Sequence, residues 1–212
     1  QCIGRTVQCT CFKMIVTFLG TGTSQGVPVI ACDCKVCSST DPKDNRLRSS
    51  VMLEVDGQTL VIDTGPDFRQ QMLRENVKKL DAVIFTHEHK DHVAGMDDIR
   101  AFNFMEGGKE MDVYATEQVQ RALINEFHYV FAANKYPGVP KVRLNDIENK
   151  SFKVGPTEIL PIEVKHFQLP VFGYRIKDFT YITDANRIDK SEKDKIRGSK
   201  VMVVNALRRE KH

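Results

Sequence analysis

The chain has 212 residues, of which 41% are hydrophobic and 28% charged, an ordinary balance for one globular domain with a sizeable core. Its net charge of +3 is too small to imply a nucleic-acid partner from composition, and no apolar run approaches the length of a membrane span. Gln1 to Lys13 lacks the continuous apolar stretch of a secretory signal, so the cytoplasm is the expected compartment.

Residues 1–13, with Cys2, Cys9 and Cys11, read as a polar leader or as a segment foreign to the natural chain. Met14 is then a candidate start, and residues 14–212 form the domain. Met14 to Leu19 (MIVTFL) predicts a buried strand ended by Gly20-Thr21-Gly22. Cys32, Cys34 and Cys37 follow as a C-x-C-x-x-C cluster, and in a reducing compartment clustered thiols more often bind metal than form disulfides. Ser50 to Val55 and Thr59 to Ile62 flank Asp56-Gly57, a strong hairpin signal because a type I′ turn needs positive φ at both central residues. Asp63-Thr64-Gly65-Pro66 comes next, then a helix from Asp67 to Asn76. Ala82 to Thr86 predicts a buried strand, Val93 to Phe104 a helix, Val113 to Ala115 a short strand, and Glu117 to about Phe131 a helix.

The second half is richer in strands. Thr157 to Lys165 ends in His166. Val171 to Ile176 and Thr180 to Thr183 surround a turn at Asp178, and the second run ends in Asp184. Lys200 to Asn205 reads as another buried strand. Strands in both halves with helices between them predict a mixed α/β protein with two sheets packed together and helices outside.

The chemistry concentrates in His87-Glu88-His89-Lys90-Asp91-His92, delivered by the apolar strand before it. Imidazole nitrogen and carboxylate oxygen are ligands of choice for zinc, manganese or iron. His87 and His89 project to one side of an extended backbone, while Asp91 and His92 lie where the loop turns into a helix. That alternation suits two ions, with His87 and His89 on one and Asp91 and His92 on the other. One loop cannot close two coordination shells. His166 and Asp184, each at a strand end, are placed to add to them, whereas His128 between Phe127 and Tyr129 reads as structural or surface.

The H-x-H-x-D-H motif resembles that of the metallo-β-lactamase fold superfamily, and the resemblance spans nearly the whole chain. It implies a four-layer αββα sandwich with an incomplete C-terminal part. It further implies that Asp63 supports the metal loop from the next layer of contacts, that one ion takes His87, His89, His166 and Asp184, and that the other takes Asp91, His92 and a shared Asp184. The opening Gly20-Thr21-Gly22-Thr23-Ser24-Gln25-Gly26-Val27-Pro28 with C-x-C-x-x-C, and His166 followed by Val171-Phe172-Gly173-Tyr174, is similar to the phosphoribosyl 1,2-cyclic phosphate phosphodiesterase branch. In that branch three cysteines hold a structural zinc, here Cys32, Cys34 and Cys37. The family pattern continues past His212 with a strand and a Thr-His-x-x-His segment. The chain is therefore expected to be a shortened version of a longer protein or a degenerate form. The second catalytic ion is then expected to be weakly held, and the cysteine site to lack its fourth ligand.

The implied activity is hydrolysis of a small cyclic phosphodiester by metal-activated water, with Asp91 orienting the water and accepting its proton. The expected cofactors are zinc or manganese, with iron an option, in up to two catalytic ions, plus a structural zinc. The expected partner is the small phosphodiester, with neither nucleic acid nor membrane, and a homodimer is the assembly left open. A tRNA 3′-processing nuclease ranks lower for want of a basic arm. A glyoxalase-II-like thioester hydrolase fits the cysteine cluster poorly, and a secreted β-lactamase lacks its signal. A non-catalytic metal-binding protein is the competitor from another class.

Overall fold

The computed structural model describes residues 7–9 and 14–206. Cys2 and Cys11 of the leader, and the run Leu207 to His212, lie outside the described residues. The chain divides into two compact units, the first ending at Asp146 and the second starting at Ile147.

The first unit is built on a seven-stranded sheet whose spatial order follows the chain. β1 (Val7–Cys9), β2 (Met14–Gly20), β3 (Ser50–Val55) and β4 (Gln58–Ile62) pair antiparallel. β5 (Ala82–Ile84), β6 (Met111–Ala115) and β7 (Val142–Asp146) continue in parallel. The β3–β4 turn has φ of +52° at Asp56 and +80° at Gly57, as a type I′ turn requires. All three residues of β5 are buried, the expected pattern for a parallel strand covered on both faces.

Among the described residues of this unit the α-helices are α1 (Phe68–Arg74), α2 (Lys90–Val93), α3 (Arg100–Met105), α4 (Glu117–Glu126) and α5 (His128–Phe131). Thr116 caps α4 by accepting from the Val119 amide. Phe68, Ile99, Phe102, Val119 and Leu123 bury their side chains with Leu19, Val61, Val83 and Val113 of the sheet in one core.

Two expected helices are interrupted. The span Val93 to Phe104 is divided among the end of α2, a 3-10 turn at Met96–Ile99 and α3. The Gly95 amide leaves the helical ladder and donates to the Thr64 carbonyl at 2.8 Å. The span from Glu117 breaks at Phe127, whose φ of −109° and ψ of +42° are not helical. Phe127 is buried there, so packing overrides the local preference to continue. His128 then opens α5 as an exposed residue, consistent with a surface role.

The second unit contains β8 (Phe152–Val154), β9 (Thr157–His166), β10 (Leu169–Ile176), β11 (Phe179–Ile182), β12 (Arg187–Ile188), α6 (Lys190–Ile196) and β13 (Val201–Val204). The sheet runs β12-β9-β10-β11-β13, with β8 also on β9. β9 and β10 form a hairpin closed by Phe167-Gln168, with His166 opposite Leu169 and φ of +56° at Phe167. α6 crosses between β11 and β13, which pair in parallel.

The run Lys200 to Asn205, expected as buried, is a half-exposed edge strand, with Met202 53% and Val204 44% exposed. Only β11 pairs with it among the described strands, so its apolar composition exceeds its burial. The mixed α/β architecture, two sheets with helices, is as the sequence implies. Among the described residues no helix is long and apolar enough to cross a membrane.

Candidate metal centre

The metal loop springs from the C-terminal end of β5, and a second turn, Asp63 to Gly65, from the end of the neighbouring β4. Backbone bonds lace the two together: Asp63 donates to the Ile84 carbonyl at 3.0 Å, Thr64 to the His92 carbonyl at 2.8 Å. Ser50 of β3 is buried and its hydroxyl lies 3.0 Å from the Ile62 carbonyl and 2.8 Å from that of Asp63. This holds Asp63 at φ of +66°, a left-handed conformation that aspartate tolerates better than most residues.

Asp63 is fully buried and acts as the hub. Its carboxylate accepts from the Thr86 amide at 2.8 Å, from the Thr86 hydroxyl at 2.8 Å and from His92 Nδ1 at 2.7 Å. Burial pushes its carboxyl above the usual range, while His92 and the two Thr86 donors pull the other way.

This hub selects the histidine tautomers. Thr86 has one hydroxyl proton and gives it to Asp63. Its oxygen therefore accepts from His87 Nδ1, 2.9 Å away. His92 gives its Nδ1 proton to Asp63. In both rings Nε2 is left with its lone pair, the form in which imidazole binds a metal.

The donor atoms then fall into two pairs. His87 Nε2 and His89 Nδ1 are 3.1 Å apart. Asp91 Oδ2 and His92 Nε2 are 3.2 Å apart. Two nitrogens on one tetrahedral zinc, with bonds of about 2.0–2.1 Å, stand roughly 3.3 Å apart, so these spacings suit shared coordination. The rings of His87 and His92 also approach to 4.1 Å between centroids, which brings the two pairs side by side. This donor set fits a divalent transition metal; mixed imidazole and carboxylate donors do not distinguish zinc from manganese or iron.

The residues between the ligands are anchored to α4. Glu88 accepts from Gln118 Nε2 at 2.6 Å, and Lys90 pairs with Glu126. The close approach of the two turns depends on missing side chains. A Cβ on Gly95 would lie 2.2 Å from the Gly65 carbonyl oxygen and 2.8 Å from Phe68 Cβ. Gly95 has φ of −90°, so space rather than backbone conformation is the constraint. Gly95→Ala is expected to cost about 1–3 kcal/mol of stability and to weaken zinc binding, as measured by urea unfolding and by competition with a chelating dye. Wild-type values for both would refute this account of the loop.

The second unit carries the other two candidates. His166 is the last residue of β9 and is half-buried. Asp184 follows β11, also half-buried, with φ of +56° and a hydrogen bond of 2.8 Å from the Thr183 hydroxyl.

The cysteine cluster lies elsewhere in the first unit. Cys32, Cys34 and Cys37 bring their sulfurs within 4.8 Å of one another. The Val29 amide points at Cys37 Sγ at 3.3 Å, and the Cys37 amide at Cys34 Sγ at 3.5 Å. The Cys37 amide, with help from the Cys32 thiol, lowers the Cys34 thiol to about 7. Thiolate is the form that binds metal. The arrangement fits three of the four ligands of a structural zinc.

Sequence reasoning missed Thr86 and Ser50. A hydroxyl residue directly before His87 was the visible signal for the first; Ser50 left none, since its partners lie across the sheet.

Residues 58–212 match the Beta-lactamase superfamily domain, and the chain belongs to this family of metallo-β-lactamase fold proteins. Its nearer likeness is to the PhnP-like branch. A crystallised diphosphatase of the PhnP family is 39% identical with a TM-score of 0.82, over 89% of this chain and 72% of that one. The octanoyltransferase of Porphyromonas gingivalis is 39% identical over 192 residues, 90% of this chain but 38% of that protein's length. Zinc-bound PqqB of Methylobacterium extorquens has a TM-score of 0.72 at 23% identity, over 90% of this chain and 72% of that one, a likeness of fold.

Proposed function

We propose that this chain is a metal-dependent phosphodiesterase for a small cyclic phosphate. The observation that carries the reading is the paired donor set on the loop after β5, with tautomers selected by Asp63 and Thr86. His87 and His89 would hold one ion; His166 and Asp184 are the further ligands that the family resemblance implies. Asp91 and His92 would hold the other. Cys32, Cys34 and Cys37 would hold a structural zinc. Zinc or manganese would supply Lewis acidity when bound, acidifying water and offsetting charge on the phosphoryl oxygens.

The chain's own residues do the rest. Asp63 keeps His92 from rotating and from presenting its protonated nitrogen to the site. Asp91, whose side chain is 17% exposed, sits at the solvent side of His92 and accepts the proton of the attacking water. Gln118 and Glu126 keep the loop in register with α4.

The similar PhnP-family protein is a diphosphatase, which favours phosphoric anhydrides as a second substrate class. Both classes place a phosphoryl group at the same donors. The decisive assay compares bis-p-nitrophenyl phosphate, a nucleoside 2′,3′-cyclic phosphate, a diphosphate ester and a precursor tRNA. Turnover of the diesters is expected, lost on chelation and restored by zinc or manganese. Preferred cleavage of the diphosphate would move the assignment to anhydrides, and of the tRNA to a nuclease. No turnover of any substrate by metal-replete protein would leave a non-catalytic metal-binding role.

A further inference from the structure

The first unit contains a cavity of about 470 Å3 lined by residues outside the metal loop. Gln25 comes from the segment after β2, Arg46 and Arg48 from the approach to β3, and Asp67, Gln70 and Arg74 from α1 and the residue before it. Three arginines and one aspartate thus line one space.

That carboxylate is already matched. Asp67 accepts from Arg48 Nη1 at 2.9 Å and from the Arg48 amide at 2.8 Å, while Arg48 Nε donates to the Ser24 carbonyl at 2.8 Å. Arg48 still has three of its five N–H donors to offer. Arg74 pairs with Glu75 at 2.6 Å and donates to the Leu19 carbonyl at 2.8 Å. The Arg46 guanidinium has no side-chain partner among the described residues. Its backbone, in contrast, is fixed. The Arg46 amide donates to the Val27 carbonyl and its carbonyl accepts from the Val27 amide, both at 2.8 Å. An unmatched cation on a rigid base, beside two glutamine amides, is the composition of an anion site.

One lining residue, Arg48, lies near the turn that packs on the metal loop. A Cβ built on Gly65 would lie 2.2 Å from the Asp91 carbonyl oxygen and 3.9 Å from Arg48 Cβ. Gly65 thus lies between the stem of Arg48 and the backbone of Asp91.

We propose that this cavity binds a tetrahedral phosphate oxyanion, with Arg46 as the charge-bearing contact and Arg48, Gln25 and Gln70 as further donors. The oxyanion is either free phosphate or a non-reacting phosphate ester group of the substrate; only the second source rests on the phosphodiesterase reading. The planar guanidinium matches two phosphate oxygens at once, which a lysine could not do.

The test is calorimetric titration with inorganic phosphate on four proteins: wild type, His89→Ala, Arg46→Gln in the His89→Ala background, and Gln70→Glu in that same background. His89→Ala weakens any phosphate binding at the metals, so the remaining binding reports the cavity. Phosphate binding is expected to persist in His89→Ala. It should weaken by about tenfold or more in the Arg46→Gln double variant, as loss of a charged bidentate contact implies. Gln70→Glu, which adds a like charge, should weaken it similarly. Equal binding by all three His89→Ala proteins, or no binding by His89→Ala itself, would overturn the proposal. The source follows from inhibition of diester turnover in the wild type: a component competitive with the diester and lost in Arg46→Gln marks a substrate phosphate, and a non-competitive one marks free phosphate. The calorimetry stands even if no diester is turned over, so the two readings can fail separately.

Discussion

Asp91→Asn is expected to lower turnover of bis-p-nitrophenyl phosphate by about 100- to 10,000-fold, the range found when a general base is removed. Asparagine keeps the volume and can still lie beside His92, 3.2 Å from Asp91 Oδ2 in the wild type. It cannot take a proton, and its amide oxygen is a poorer ligand than carboxylate. Because Asp91 is partly exposed and Asp63, not Asp91, is the buried hub, stability should change by less than about 1 kcal/mol. Metal content of the purified variant separates the two roles of Asp91. If it serves only as a ligand, excess zinc or manganese restores activity. If it also accepts the proton, activity stays low with the metal sites filled. Wild-type turnover in the variant would remove Asp91 from the mechanism.

Asp63→Ala has the second large effect, and it acts through structure. It strands the Thr86 amide, the Thr86 hydroxyl and the His92 Nδ1–H in a buried place, all three of which Asp63 accepts. Leaving buried donors unpaired in this way costs about 1–3 kcal/mol for each. It also releases both histidines from their selected tautomers, since Thr86 loses the acceptor that obliges it to receive the His87 proton. Zinc affinity should fall by about 10- to 100-fold, the usual consequence of removing the partner behind a ligating histidine. Denaturant unfolding reads the first effect and competition with a chelating dye the second. Asp63→Asn checks the account: the side chain fits, but it presents an N–H to a site made of donors, so affinity should still fall. Unchanged zinc affinity in both variants would show that Asp63 does not orient the ligands.

Much of the fold was legible because its strands are short apolar runs punctuated by turn residues. β2, the β3–β4 hairpin, β5, and the β9 and β11 strands are near their expected positions for that reason. What escaped was either polar or short. α6 buries none of its side chains, so it carries no apolar period to detect. β7 reads Val-Arg-Leu-Asn-Asp, with no fully buried residue, and β12 has two residues. The break at Gly95 was invisible because its cause is the Thr64 carbonyl, thirty-one positions earlier in the chain. The edge position of β13 was invisible because an apolar run has the same composition whether one neighbour covers it or two.

The same division holds at the metal centre. The sequence by itself determined the ligand types, their spacing from His87 to His92 and the family they resemble, since these are properties of a short continuous segment. Only the tertiary structure decided which nitrogen of each ring is available. That choice runs from Ser50 to Asp63 to Thr86 and His92, across β3, β4 and β5, and hydrogen bonds between residues 13, 23 and 29 positions apart leave no periodicity to read. The cavity around Arg46 arises likewise: its arginines are ordinary surface charges in sequence, and become a site only where the chain folds Gln25, Arg46 and Gln70 around one space.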